Sequence, residues 1–392
     1  TKRDYFTNNR DQFIGQFGIG LLSCFMVSEQ ITLITRAAGH AAIKWVGKVD
    51  GTYDLFELDE DLDIGTKVYL SAKNDKHDLF NARSLQRLIK FYGEILPFPI
   101  HFSSNGEQGA CLNAQAAVWE QSYLDKGTRR LEYLEYGRQS FDIQFQDYIE
   151  INLPEFGAEG IVYLLPFAAN PNSKPRHKVF LKRMLLSKDV DNLVPEWCFF
   201  VKAVLNVQNL RPTASRESFY EDENLLQLRD AIGSEVRRYL FDLAESDPAK
   251  LSKILEIHEQ AFKQMALADD EFFQLIVPFL HFSTTKGSLM LKEIQDEVIR
   301  HVPNVDEFRK IAPVASSKGL TLINSGYTYD ATLLRKLSQL DYSKPVEQIN
   351  ANSFLEIFED LDPGEKEGAK AFMRVASNVL AAFKCKPEIK KY

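Results

Sequence analysis

Apolar and polar positions alternate with a period of two in short runs within the first seventy residues. Clusters of Gly and Asp separate these runs and are typical of turns. The runs predict strands over Ile31–Thr35, Ala42–Val46 and Thr66–Leu70. The pattern then changes to helical spacing over Ala82–Leu96, where the apolar residues share one face and Pro97 ends the helix.

Strand-like runs and long helical patterns alternate in the rest of the chain. The predicted elements are strands over Gly160–Leu165 and Lys178–Leu186, a helix over Leu225–Leu243, a mainly helical stretch over 249–300, a short strand over Gly319–Asn324, and a helix over Ala369–Phe383. The basic residues of Lys178–Leu186 are interpreted as the solvated face of a strand. Such alternation favours α/β layers over an all-β sandwich.

Chain length and composition indicate a globular protein of several domains. The 392 residues exceed the roughly 250 to 300 residues that one hydrophobic core supports. Composition is ordinary for such proteins, with 45% hydrophobic and 26% charged residues. We predict domains over 1–106, 107–362 and 363–392, with the polar stretch Ser103–Gly109 as the first linker. In the second domain, a large α/β unit to about 245 and a helical part to about 312 precede a small α/β unit.

Charge and special residue types argue against several classes of partner. A net charge of −8 and a pI near 5.5 give no uniform field that would attract nucleic acid or anionic lipid. No apolar run reaches the ~20 residues that a membrane span needs. Cys24, Cys111, Cys198 and Cys385 have no metal-ligand spacing and predict reduced thiols. We therefore expect a cytoplasmic protein with no metal site, no nucleic-acid partner and no membrane partner.

A glycine-rich turn followed by an apolar run lies near the start of the chain. Gly15, Gly18 and Gly20 allow the backbone to turn sharply and to approach a ligand closely. Successive N–H groups at the start of the following helix can surround a phosphate. The segment is not a Walker A loop, because no Gly-Lys-Ser/Thr follows it. Taken alone, such glycine spacing is more often structural than functional.

Four strings in a fixed order carry a family resemblance. They are Gly15-Gln16-Phe17-Gly18-Ile19-Gly20, Asp63-Ile64-Gly65-Thr66-Lys67-Val68, Leu193-Val194-Pro195-Glu196-Trp197 and Ser215-Arg216-Glu217. Together they resemble the heat-shock protein 90 family over about residues 10–360. Departures at Leu21–Cys24, at Arg211–Ala214 and at Tyr220 indicate a divergent branch of bacterial type.

The resemblance implies an α/β (α+β) fold and a chaperone function. The expected order is part of a Bergerat-type ATPase α/β sandwich, an αβα middle domain with a helical connector and a small second α/β unit, and the start of a C-terminal domain. The implied function is that of an ATP-dependent molecular chaperone, a homodimer in its full-length form, which closes as a clamp on partly folded client proteins. The implied cofactor is ATP with Mg²⁺.

The resemblance also assigns site residues. Its phosphate-binding backbone corresponds to Gly15, Gln16, Phe17, Gly18, Ile19, Gly20 and Leu21. The hydroxyl of Thr66 would reach the adenine through water, and Arg216 would be the catalytic arginine that contacts the γ-phosphate. The family's catalytic Glu, metal-binding Asn and adenine-binding Asp are expected before Thr1. The full-length protein is therefore predicted to be an ATPase, and this chain alone is predicted to be inactive.

Two other functions remain open at this point. A DNA-associated ATPase of the MutL or gyrase B kind shares the nucleotide fold, but the acidic balance and the Ser215–Glu217 string argue against it. A scaffold that does not hydrolyse ATP would use apolar surface around Trp197 and Phe199-Phe200 to bind one partner.

Overall fold

The computed structural model has two compact units of mixed α and β structure, which confirms the predicted fold class. It describes residues 19–104, 109–113, 115–170, 174–215, 217–340, 344–350, 353–354, 358–383 and 387–391. The first unit comprises Thr1–Leu164, Arg176–Val194 and Lys202–Ala231, and the second comprises Leu165–Pro175, Pro195–Val201 and Ile232–Tyr392.

The first sheet of the first unit is antiparallel. It follows the short helix α1 (Ile19–Leu22) and contains β1 (Ser28–Arg36), β2 (Ala42–Lys48), β3 (Tyr53–Leu58) and β4 (Gly65–Ala72) in the order β3-β2-β1-β4. The three strands predicted from alternation are confirmed as β1, β2 and β4. Strand β3 pairs with β2 at the edge of the sheet.

One face of this sheet is apolar and only partly covered by the described residues. The register places Leu33 opposite Trp45 and Val68, and Trp45 opposite Leu55, so the four side chains form a row across the sheet. Leu55 is 61% exposed and Val68 is 47% exposed. Exposure of this kind on a sheet face marks a surface that can receive another layer or a ligand.

The second sheet of the first unit has a mixed topology. Its strands are β5 (Asp147–Leu153), β6 (Ala158–Leu164), β7 (His177–Leu181), β8 (Met184–Val190) and β9 (Val201–Val207), in the order β5-β6-β9-β7-β8. Three helices belong to this part of the chain: α2 (Ala82–Gly93), α3 (Lys126–Phe141) and the start of α4 (Glu223–Ser246). Strand β7 is parallel to β9 and antiparallel to β8.

Aromatic side chains join α3 to this sheet. The Tyr163 ring stacks on Phe145 at 4.8 Å between centroids, and its hydroxyl donates to the Tyr133 carbonyl at 2.9 Å. Gly137 of α3 lies so close to the Tyr163 ring that an added Cβ would come within 2.6 Å of it. The glycine therefore permits the close approach of helix and sheet.

The basic run Lys178–Leu186 forms a hairpin instead of the single strand predicted. Its two-residue turn, Lys182 and Arg183, has φ values of 50° and 69°. Positive φ at both central residues is typical of a type I′ turn, whose twist matches that of the flanking strands, although such turns usually contain Asn or Gly. The Arg183 N–H donates to Asn206 Oδ1 at 2.8 Å, and the Lys182 N–H donates to the Val207 carbonyl at 2.8 Å. Contacts outside the hairpin thus support the turn.

Lys178 does not lie on a solvated face, which corrects the interpretation of the basic run. It is buried, and its Nζ donates to Glu94 Oε2 at 2.6 Å and lies 5.1 Å from the Tyr136 and Phe180 ring centroids. Burial lowers the pKa of Lys178, while Glu94 opposes that shift. Because Glu94 ends α2, which packs against β8, the ion pair fixes that helix to the second sheet.

The stretch Ser103–Gly109, predicted as a linker, lies between two paired segments. His101 forms an antiparallel bridge with Cys111, and the Leu112 N–H donates to the Ile100 carbonyl at 2.8 Å. Residues 105–108 lie outside the described part of the chain. The flanks of the stretch therefore lie side by side in the first unit.

The second unit combines helices with a small mixed sheet. Its elements after α4 are α5 (Pro248–Ile257), α6 (Glu259–Ala268), α7 (Asp270–Ile276), β10 (His281–Thr284), β11 (Gly287–Met290), β12 (Ile299–Val302), α8 (Val305–Ser317), β13 (Leu322–Asn324), α9 (Asp330–Gln339), β14 (Val346–Gln348) and α10 (Pro363–Leu380). The strand order is β11-β10-β13-β12-β14. The stretch 249–300, predicted as mainly helical, is therefore α-helical only as far as Ile276. The hairpin of β10 and β11 follows, and Gly287 at its turn has a φ of 100°.

Aromatic rings and one buried ion pair form the core of the second unit. Phe200 lies 4.9 Å from Phe262 between centroids, and Phe262 stacks on Phe272 at 6.3 Å. Lys263 Nζ lies 2.6 Å from Asp330 Oδ1, and both side chains are almost completely buried. Phe199 and Phe200 are also buried, so they belong to the core and offer no apolar surface to a scaffold's partner.

Among the described residues, no helix combines the length and the apolar character that crossing a bilayer requires. No group of three or more His, Cys, Asp or Glu side chains there is placed to hold a metal ion. Cys24, Cys111 and Cys198 are free thiols, and Cys385 lies outside the described part of the chain.

Candidate nucleotide and arginine-loop site

The structure describes only the end of the predicted phosphate-binding segment. Gly15, Gln16, Phe17 and Gly18 lie outside the described residues. Ile19, Gly20 and Leu21 form most of α1, and the Ser23 hydroxyl donates to the Gly20 carbonyl at 2.7 Å. A Cβ added at Gly20 would meet no described residue within 4 Å, so the described part of the chain leaves the backbone there open to approach.

Thr66 lies at the start of β4, at the edge of the apolar sheet face. Its Oγ1 is 2.8 Å from Thr35 Oγ1, because β1 and β4 place these two residues opposite each other. Leu33 lies two residues before Thr35 on β1, and Val68 lies two residues after Thr66 on β4. All four side chains are therefore on the same face of the sheet. A partly exposed apolar surface bordered by two hydroxyl groups is thus available to a flat ligand with polar edges.

The structure brings the two parts of the predicted nucleotide site to opposite ends of β4. Lys73, just after β4, donates through its Nζ to the Phe25 carbonyl at 2.7 Å, which fixes the segment after α1 at that end. Thr66 is seven residues earlier, about 20 Å away at ~3.3 Å per residue. An elongated ligand would be needed to contact both ends.

The predicted arginine loop is a hairpin that projects after β9. Pro212 and Phe219 form an antiparallel bridge, and the Thr213 N–H donates to the Ser218 carbonyl at 2.9 Å. Arg216 lies outside the described residues, but its neighbours Ser215 and Glu217 are exposed. The two described neighbours of Arg216 in the sequence therefore face solvent in a loop whose base is paired.

The base of this hairpin is held by burial and by one asparagine. Phe219 is 2% exposed, so the returning strand of the hairpin is fixed in the core. Asn192, two residues after β8, donates through Nδ2 to the Phe219 carbonyl at 2.9 Å and accepts at Oδ1 from the Ser218 hydroxyl at 2.9 Å. The loop exit is thus fixed two and three residues after Arg216.

Asn192 also belongs to a closed polar ring. Its Nδ2 donates to Glu221 Oε1 at 3.1 Å, and Arg229 NH2 donates to both Glu221 carboxylate oxygens at 2.8 Å. Arg229 returns to the Asn192 carbonyl through Nε at 3.0 Å and NH2 at 2.7 Å. We call Asn192, Glu221 and Arg229 the loop ring.

Sequence reasoning missed all three residues of the loop ring. Asn192 stands in a short polar break after β8, and Arg229 stands in an ordinary helical pattern. Neither position carries a motif, because the contact depends on how β8, the hairpin and α4 meet in the fold. Glu221 and Arg229 are eight residues apart, and Glu221 precedes α4, so the i, i+4 charge spacing that indicates a pair on a helix is not present.

Arg211 and Tyr220 form a second contact across the hairpin base. The Tyr220 N–H donates to the Arg211 carbonyl at 3.0 Å, and the Arg211 guanidinium lies 5.6 Å from the Tyr220 ring centroid. Both side chains are exposed. Arg211 is therefore a second cation of this loop, and its guanidinium lies against the Tyr220 ring.

Comparison with known proteins places the arginine loop within a family match. Residues 166–308 match the family model described as Hsp90 protein. Chaperone protein HtpG of Oleidesulfovibrio alaskensis is 29% identical over 291 residues, which is 69% of this chain and 43% of that protein. HtpG of Rhodococcus jostii is 26% identical over 319 residues, covering 74% of this chain and 49% of the relative. Residues 166–308 therefore match the Hsp90 family, and the chain as a whole is similar to bacterial HtpG chaperones.

A eukaryotic relative extends the same comparison. The mitochondrial TNF receptor-associated protein 1 homolog of Dictyostelium discoideum is 23% identical over 295 residues, which covers 72% of this chain and 40% of that protein. The chain thus spans less than half the length of these relatives. The loop ring and the Ser215–Glu217 string lie inside the family match, whereas Gly15–Leu21 and Thr66 lie before it.

Proposed function

We propose that this chain is part of an ATP-dependent molecular chaperone and that it carries one wall of the nucleotide site together with the catalytic arginine loop. The match of residues 166–308 to the Hsp90 family and the similarity to bacterial relatives named chaperone support this proposal. The domains proposed are those at 1–106, 107–362 and 363–392. We infer that the whole protein is a cytoplasmic homodimer whose partners are partly folded client proteins.

The first sheet fits part of a nucleotide. Its partly exposed apolar face can contact the base, and the hydroxyls of Thr35 and Thr66 provide polar contacts at its edge. The N–H groups of the segment that ends in Gly20 and Leu21 would bind the phosphates at the other end of β4. The ligand of Mg²⁺ is proposed, from the family resemblance, to lie before Thr1.

The arginine loop is the observation that carries the catalytic part of the proposal. ATP with Mg²⁺, when bound, supplies the free energy of γ-phosphate hydrolysis that drives closing and reopening on a client. The base of the loop is anchored at Ser218 and Phe219, and Arg216, two residues before Ser218 in the sequence, would place a planar positive charge beside the γ-phosphate. Catalysis of this kind depends on positioning and on stabilising charge in the transition state.

The test compares two arginines of the same loop. In a form of the protein that binds ATP, we expect Arg216→Ala to lower turnover by about a hundredfold or more while ATP affinity stays within a few-fold of wild type. Arg211→Ala is the matched control, because Arg211 packs on Tyr220 and is not at the tip. Steady-state ATPase assays and nucleotide titrations measure both effects. Normal turnover in Arg216→Ala, or a larger defect in Arg211→Ala, would contradict the assignment.

A further inference from the structure

We propose that Asn192 is a positioning residue that holds the Arg216 loop in its working direction, an inference that rests on the proposed catalytic role of Arg216. Asn192 is remote in sequence from the loop and stands just after β8. Its side-chain amide makes three contacts, and all three are with residues 218–221. An asparagine with a purely local role would bond to its own neighbouring backbone, whereas the side chain of Asn192 bonds three times to the loop exit.

These contacts hold the base of the arginine loop. The Thr213 N–H bond to the Ser218 carbonyl closes the hairpin around the four residues 214–217, and Ser218 and Phe219 form its exit. Asn192 accepts a hydrogen bond from the Ser218 hydroxyl at Oδ1 and donates one from Nδ2 to the Phe219 carbonyl. We therefore expect a change at Asn192 to loosen the base of the loop without altering the Ser215–Glu217 sequence.

The loop ring keeps Asn192 itself in place. Its carbonyl accepts two hydrogen bonds from the Arg229 guanidinium, which is held at the same time by the Glu221 carboxylate. Charge-assisted, bidentate contacts of this kind are among the stronger and more directional hydrogen bonds in proteins. The amide is therefore presented to the loop from a fixed point between β8 and α4.

Loss of the Asn192 amide should lower turnover more than it lowers ATP affinity. A catalytic group displaced by about 1 Å can cost about a hundredfold in rate. Phe219 stays buried in the variant and limits the displacement, so we expect turnover in Asn192→Ala to fall about tenfold to thirtyfold. Affinity should stay within about twofold, because Arg216 acts mainly in the transition state.

The first experiment uses this chain alone. Hydrogen exchange of peptides spanning 210–222 should be faster in Asn192→Ala than in wild type, and unchanged in Asn152→Ala. Asn152 is exposed on β5, which makes its removal the same chemical change at a distant site. Equal exchange in all three proteins would overturn the proposal.

The second experiment separates positioning from simple stabilisation. ATPase activity and ATP affinity are measured in an ATP-binding form at a temperature where every variant is folded. Ser218→Ala, which removes a single contact of Asn192, should give a smaller loss of turnover than Asn192→Ala. The double variant Asn192→Asp with Glu221→Gln exchanges the donor and acceptor within the ring and should recover part of the loss seen in Asn192→Asp.

The outcomes distinguish this inference from the function on which it rests. If Arg216→Ala retains normal turnover, the proposed function fails. If Arg216→Ala is nearly inactive while folded Asn192→Ala is normal, the positioning role fails and the proposed function stands. If Asn192→Ala lowers affinity and turnover equally, the residue supports binding instead of positioning, which also overturns the inference.

Discussion

The two sheets of the first unit differ in how completely their apolar side chains are buried. In the first sheet, Leu55 is 61% exposed and Val68 is 47% exposed. In the second sheet, Val204 and Leu205 are both 0% exposed, and α3 packs on the sheet where its Gly137 lies against the Tyr163 ring. The first sheet thus offers a surface, and the second is a closed core.

This difference matches the parts that we propose for the two sheets. A surface that receives a ligand must leave apolar area exposed, and that area contributes little to the stability of the sheet alone. A loop that must hold an arginine in one direction needs a rigid base, and Phe219 and the loop ring provide one beside the second sheet. We therefore assign ligand binding to the less stable first sheet, and positioning of the arginine loop to the more stable second sheet.

The largest expected effect comes from a pair of glycines in equivalent backbone conformations. Gly160 of β6 and Gly65 of β4 both have a φ of 146°, which disfavours any side chain. A Cβ at Gly160 would come within 2.2 Å of the Val204 carbonyl oxygen, whereas a Cβ at Gly65 would have no atom of the described residues within 4 Å. We expect Gly160→Ala to destabilise the second sheet by about 3 kcal/mol or more, and Gly65→Ala to destabilise the first by about 1 kcal/mol.

Peptide-resolved hydrogen exchange in a series of urea concentrations measures each sheet separately. Wild type should show faster exchange in β1–β4 than in β6 and β9. Equal destabilisation by the two glycine substitutions would show that the closed core of the second sheet does not restrict Gly160, and the comparison would fail.

Regular periodicity made much of the fold predictable. Strands β1, β2 and β4 and the long helix α4 follow from alternation and from i, i+3, i+4 spacing, because each element buries one face and the pattern records which face. The family resemblance added the fold class and directed attention to the loop after β9. These inferences needed only local pattern and the order of motifs.

The remaining features depended on contacts between residues that are distant in sequence. The Lys182-Arg183 turn has no Asn or Gly and is supported by Asn206 and Val207, so turn rules could not detect it. Lys178 looked solvent-facing because its partner, Glu94, lies 84 residues away. The same limitation hid Asn192, whose role exists only where three elements meet.

A buried histidine provides a second test of the closed core. His177 on β7 is completely buried, and its Nδ1 accepts from the Ala203 N–H at 3.1 Å. Burial, aided by the charge of Lys202, lowers the pKa of His177 from 6.5 to about 3. The unfolded chain therefore binds the proton more readily, so the stability linked to His177 is present above pH 6.5 and is lost as pH falls towards 3.

Replacing this histidine should make the second sheet less sensitive to acid. Asn at this position keeps an acceptor near that of Nδ1 but does not titrate. Between about pH 6.5 and pH 5, the free energy of unfolding should therefore fall by about 2 kcal/mol less in His177→Asn than in wild type. Exchange of β7 and β9 peptides at several pH values measures the difference, with β1–β4 peptides as the internal control. An unchanged pH dependence in the variant would mean that His177 is hydrated or protonated in the folded sheet.

The smallest effect on stability, and the sharpest test of the first sheet as a surface, concerns Thr66 and Thr35. Their hydroxyls share one exposed hydrogen bond of 2.8 Å, so Thr66→Val and Thr35→Val should each destabilise the sheet by less than about 1 kcal/mol, and by similar amounts. If Thr66 contacts the adenine through water, its loss should also weaken ATP binding by about fivefold to tenfold in a form of the protein that binds ATP, whereas Thr35→Val should change affinity by about twofold at most. Urea unfolding and nucleotide titration on both variants provide the two measurements. Equal affinity losses would make the hydroxyl pair a structural feature of the sheet and would remove Thr66 from the proposed site, while leaving the arginine loop and its ring untouched.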